Sequence, residues 1–150
     1  MSPVHLRVFD DELLSRSKSG AIWGRVYFDV ENEPFPERGW SDLLVAFTAS
    51  WLEALQTMSE GAPQETTVFF MDGPCQVRIC SVPTRMVKLD FIYKESVKHS
   101  LTTSVDSLLR DGIRVGQALT AICQRHGWTD GSDYRRLNDV IDGGIKALPV

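Results

Sequence analysis

An α+β fold, with an antiparallel sheet of about four to five strands and three helices packed mainly on one face, is what this sequence predicts. Three observations lead there. The stretch Trp40 to Met58, WSDLLVAFTASWLEALQTM, repeats its apolar residues every three or four positions. On either side lie short segments of alternating apolar and polar residues bounded by Gly and Pro. The last third of the chain returns twice to helical spacing. Helices packed on one side of an antiparallel sheet bury all of these faces in two layers.

Val4 to Phe9 alternates and predicts a short edge strand. Asp10 to Gly20 is polar and Ser-rich and reads as a loop, with room for one helical turn at Asp11–Leu14. Ala21 to Val30 is the first firm strand. Ile22, Gly24, Val26, Phe28 and Val30 share one face, and Trp23, Arg25, Tyr27 and Asp29 the other. Gly24 marks either a bulge or a close approach of another group. Glu31 to Gly39 reads as a loop, because Pro34 and Pro36 cannot join a central ladder.

The helix follows, with Leu44, Phe47, Trp51, Leu55 and Met58 on its apolar stripe. Ser41 suits an N-cap, Asp42 a first turn, and Trp40 with Val45 a hydrophobic staple. Gly61 and Pro63 end it. Thr66–Met71 and Cys75–Val82 predict two strands joined through Asp72-Gly73-Pro74, a turn longer than two residues if Pro74 stays out of the ladder. Met86–Tyr93 completes a three-stranded meander, with Val87, Leu89, Phe91 and Tyr93 on one face. Lys94–Ser100 is ambiguous and can extend that strand.

Thr103-Ser104-Val105-Asp106 fits a capping box. Val105, Leu108, Leu109, Val115, Leu119 and Ile122 then keep helical spacing to Gly127. Gly112 and Gly116 within it mark either a bend or a close crossing against the sheet or the first helix. Ser132 or Asp130 starts the last helix, with Tyr134, Leu137, Val140 or Ile141, and Ile145 inward, and Gly143-Gly144 is expected to fray its end.

At 150 residues the chain suits one domain, with enough apolar content (43%) for a core without staples. A net charge of −4 disfavours nucleic acid as the main partner, since phosphates require a basic face. The opening MSPVHLRVFDDELL has neither the basic start nor the apolar run of a signal peptide, and no stretch approaches the ~20 apolar residues of a membrane span. Three cysteines, Cys75, Cys80 and Cys123, read as reduced thiols of a cytoplasmic protein.

No motif for catalysis, metal or cofactor is legible. Cys75 and Cys80 are an odd number apart on one strand and so face opposite ways. Cys123 reads as a buried helix residue, and His5, His99 and His126 as surface histidines. A Cys123–His99 nucleophile pair needs no proximity in sequence and stays open. There is no nucleotide-binding glycine pattern and no G-x-S-x-G elbow. The distinctive polar feature is acidic. Asp29, Glu31 and Glu33 alternate, so in an extended run they share a side, and Glu37 follows. With Tyr27, Phe35 and Trp40 interleaved, this stretch reads as a solvated loop, as a docking surface with aromatic anchors and an electrostatic rim, or as carboxylates for acid–base work or a divalent cation, although it has neither the EF-hand spacing nor a partner histidine.

The run IWGRVYFDV, a Pro-rich turn, WSDLLVAFTASWLEAL and then FFMDGP resembles small bacterial immunity proteins of polymorphic-toxin systems, over about Ile22 to Ile79. That resemblance implies a small, cytosolic, non-enzymatic protein that binds and blocks one toxin domain. The expected contact residues are Tyr27, Asp29, Glu31, Glu33, Phe35, Glu37 and Trp40, facing a toxin with a basic surface. The alternatives are a small enzyme or ligand-binding domain with a pocket between sheet and helices, and a chaperone or adaptor for a secreted effector.

Overall fold

The computed structural model describes residues 3–71 and 73–149. The turn residue Asp72 lies outside the described residues. Three helices and two antiparallel sheets make the α+β fold. The strands thus fall into two sheets rather than the single sheet expected.

The first sheet is organised on β3 (Ile22–Val30), which pairs with β1 (Val4–Val8), β2 (Ser15–Arg16), β4 (Glu33–Phe35) and β5 (Ser41–Asp42). The inward face of β3 is as its alternation requires, with Ile22, Val26, Phe28 and Val30 buried. Two segments read as loop hold strands here, β2 and β4. Pro34 sits in β4 opposite Asp29, which is tolerable because β4 is a short strand paired on one side only. The hairpin closes through Glu31 and Asn32, both at positive φ (50° and 72°).

The second sheet runs β6 (Glu65–Phe69), β7 (Cys75–Val82), β8 (Met86–Tyr93), β9 (Ser96–Ser104) in simple meander order. The meander has four strands, not three. Lys94–Ser100 does not prolong β8; Lys94 and Glu95 turn the chain at φ 48° and 69°, and β9 returns alongside. One face carries Val68, Val77, Ile79, Leu89 and Phe91 into the core. The link from β6 to β7 needs glycine at residue 73: its φ is +89°, and a Cβ there would lie 2.9 Å from the Trp40 ring.

Helix α1 spans Leu44–Ser59, beginning later than Trp40. Ser41 is not its cap, since residues 41–42 pair with β3 and no side chain caps the helix. The buried Asp42 carboxylate instead accepts from the Trp40 indole (3.1 Å), the Leu43 amide (2.7 Å) and the Met71 amide (3.2 Å). The expected stripe Leu44, Phe47, Trp51, Leu55 and Met58 is buried throughout.

Helix α2 (Val105–His126) starts at Ser104, whose hydroxyl accepts from the Asp106 and Ser107 amides. It ends on Gly127 at φ 72°, with the Trp128 amide bonded back to the Cys123 carbonyl (2.8 Å). Of the two readings of its glycines, the close crossing holds. A Cβ on Gly112 would meet Leu52 at 2.8 Å, and one on Gly116 would meet Ile141 at 3.1 Å. Helix α3 (Ser132–Ala147) runs through Gly143-Gly144 without fraying, because Gln56 and Ile113 pack onto those glycines. Ile145, expected inside, is 48% exposed.

The three helices pack on one another, α1 also against β3, β6 and β7, and α2 against β1 and β9. Phe28 sits where the layers meet. Its ring makes edge-on contacts with Phe47 (5.8 Å) and Trp51 (4.9 Å) of α1, with Phe70 (6.1 Å), and with Phe91 of β8 (5.4 Å). Among the described residues no helix is long and apolar enough to cross a membrane.

Candidate functional site

The β3–β4 hairpin does not keep its carboxylates on one side. The turn at Glu31-Asn32 separates Asp29 from Glu33, which stands opposite Val30 and so shares the inward-facing side of the ladder. Asp29 lies on the other side, beside Arg7 at 3.4 Å. The idea of an extended acidic run is therefore corrected. Tyr27 is 6% exposed and stacks on Phe9 at 5.6 Å, and Phe35 is 3% exposed within the core. Neither ring is available as a protruding anchor.

Glu33, Phe35, Glu37 and Trp40 do come together, around a cleft of about 350 Å³. Pro34, Phe35, Pro36, Glu37 and Trp40 form one wall. Tyr93, Lys98 and His99, from the end of β8 and the start of β9, form the other. Local structure explains the arrangement. The hairpin turn brings β4 back along β3, and from Pro36 the chain leaves β3 before Trp40 rejoins it through its carbonyl, bonded to the Val26 amide (2.9 Å). Trp40 is fixed by its bond to Asp42 and by an edge contact with Phe70 at 6.1 Å. The register shift at Phe91/Ile92 sets Phe91 opposite His99 and Ile92 opposite Val97, so Lys98 is the extra residue of a bulge.

His99 is half-buried, not a free surface group. Its ring lies edge-on to Phe35 (6.4 Å) and Phe91 (6.3 Å), and its Nε2 is 3.9 Å from the Glu33 carboxylate. Glu33 and Glu37 are exposed at the cleft, Glu31 is exposed in the hairpin turn, and Lys94 lies over the Tyr93 ring at 5.5 Å. The side chains from β8 and β9 are the part of this cleft that sequence reading missed. Nothing local links them to Phe35 or Glu37; only recognition of β9 as a strand would have placed His99 beside Phe91.

The remaining nucleophiles and histidines lie elsewhere. Burial pushes the Cys123 thiol up to about 11, so it stays protonated at neutral pH, and it does not line the cleft. The Cys123–His99 pair is thereby excluded as an activated nucleophile. Cys75 faces the core and Cys80 the outer side of the sheet, where its thiol donates to Glu65 (3.2 Å). His5 donates to the buried Asp111 (2.9 Å). His126 and Arg125 both hold Asp10, and those bonds keep the Asp10 carboxyl below its ordinary range. No cluster of metal-ligating side chains occurs among the described residues. A wider trough between α1 and α3 contains Arg136, but Glu53 already holds it at 3.0 Å.

Compared with protein-family models, with curated proteins and with solved structures, the chain gives no match.

Proposed function

We propose that this chain is a non-enzymatic binding protein, an immunity-type inhibitor whose cleft rim docks onto a basic protein partner. One observation carries the reading: Glu33 and Glu37 stand exposed at the cleft and Glu31 is exposed in the adjoining hairpin turn, and no Lys or Arg pairs with any of them among the described residues. Elsewhere Arg side chains hold Asp29, Glu53, Asp90, Asp106, Asp111 and Asp130. Carboxylates with no internal cation keep their field for an incoming one, which speeds encounter and sets register. The exposed parts of Trp40 and Tyr93 beside them supply apolar area for the contact. Lys98 lines the same cleft and Arg38, next to Glu37, is exposed, so the partner must match a pattern of both signs. Three cysteines, none in a disulfide, suit a reducing compartment such as the cytoplasm, where an inhibitor of this kind would act.

A second reading is favoured by His99. An imidazole near a carboxylate in an aromatic-walled cleft is what a small-ligand or proton-transfer site requires. One experiment separates the two. The protein carrying both Glu31→Lys and Glu33→Lys is titrated against the product of the adjacent gene. Docking predicts an affinity about ten-fold or more weaker, mostly through slower association, with a flatter salt dependence. An unchanged Kd removes the rim from the account and leaves the cleft to a small ligand.

A further inference from the structure

The two edges of the four-stranded sheet are built differently. β9 carries a bulge and Lys98, devices that discourage another strand from pairing there. β6, sequence ETTVF, has no bulge, no lysine and no proline. Its hydrogen-bond phase follows from its neighbours. The Ser81 amide bonds the Gln64 carbonyl (2.9 Å) and the Phe70 amide bonds the Cys75 carbonyl (3.1 Å), so the even-numbered residues face β7. The amides and carbonyls of Glu65, Thr67 and Phe69 therefore point away from the sheet. At the next outward position the Met71 amide is taken by Asp42, which ends the available edge.

Beside this edge runs a groove of about 380 Å³, walled by Ser50, Glu53, Ala54 and Thr57 of α1 and floored by Thr66 to Phe69. Phe69 and Met71 are 67% and 70% exposed at one end of the edge. Glu65 stands at the other end, exposed and without a cation partner among the described residues.

We propose that β6 and the α1 groove form a docking site for an extended peptide segment of another protein, which adds to the sheet as a fifth, antiparallel strand. Main-chain bonds to Glu65, Thr67 and Phe69 supply the recognition. Residues opposite Thr66 and Val68 point into the groove and are small, to fit between the strand and the Ser50, Ala54 and Thr57 side chains of α1. The residue opposite Phe69 is apolar, and the one opposite Glu65 is basic. The site shares no residue with the acidic cleft.

The probe is the capped synthetic peptide Thr-Leu-Val-Thr-Val-Arg-Thr, added in excess to the full chain, with amide hydrogen exchange as the readout. Exchange at Thr67 and Phe69 is expected to slow by about ten-fold or more, while Val68, already paired to β7, changes little. The same peptide N-methylated at alternate amides should give no protection. Thr67→Pro removes only an outward N–H, which an edge strand tolerates, and should abolish the effect; Phe69→Lys, at an exposed position, should do the same in a chain that folds normally. Absence of protection, or equal protection by the methylated peptide, overturns the proposal. Protection that rises with protein concentration alone, together with a doubled mass in sedimentation, overturns it too, because the occupant is then a second copy of this chain.

Discussion

Replacing Phe28 by alanine is expected to lower stability by about 4 kcal/mol, a large share of the roughly 5–15 kcal/mol that holds a domain together. The side chain is fully buried and its ring touches four other aromatic rings. Those rings come from α1, from β8 and from the chain just after β6, so the cavity would open between both sheets and the helix at once. None of the three can close it without breaking its own pairing. Urea unfolding checks this: the midpoint should fall sharply with the slope unchanged. Phe28→Leu keeps most of the volume and should cost under about 1.5 kcal/mol. A loss below about 1 kcal/mol for the alanine variant would mean that the layers are not joined through this residue.

Asp42→Ala should cost about 3 kcal/mol, by leaving buried donors without an acceptor. One carboxylate serves the Trp40 indole and the amides of Leu43 and Met71, tying the entrance of α1 to the end of the β6 edge. The asparagine variant separates the contributions. Its single oxygen can still receive both amides at the Oδ1 position, but its NH2 faces the indole N–H. An intermediate loss of about 1–1.5 kcal/mol is expected, with the change in tryptophan near-UV dichroism concentrated at Trp40. Equal losses in the two variants would show that charge, not geometry, is what the site needs.

Periodicity made the helices legible. The stripe from Leu44 to Met58 and that from Val105 to Ile122 are buried as their spacing requires. What escaped was turn chemistry. The hairpins at Glu31-Asn32 and Lys94-Glu95 place non-glycine residues at positive φ, so the usual glycine signal is missing; β4 reads as loop, and the start of β9 as ambiguous or an extension of β8. The helix start was misplaced because Ser41 and Asp42 look like a cap and a first turn. A buried partner far along the chain, the Met71 amide, recruits Asp42 instead. The site was half legible for the same reason. Glu33, Phe35, Glu37 and Trp40 are near one another in sequence, while Tyr93, Lys98 and His99 arrive through a strand whose turn gave no warning.

The N-terminal strand is fastened by groups that lie far along the chain. His5 and the Leu6 amide both bond to Asp111, Arg16 holds Asp130, and Asp10 holds Arg125 and His126. During synthesis these partners leave the ribosome well after β1 and β3. β1 can pair with β3 early, but its bonds to Asp111 must wait until α2 has emerged, so the nascent chain cannot complete its native arrangement from the front. Such long-range closure makes the docking of the first sheet on α2 a late step of folding, after the local pairings of β3 have formed.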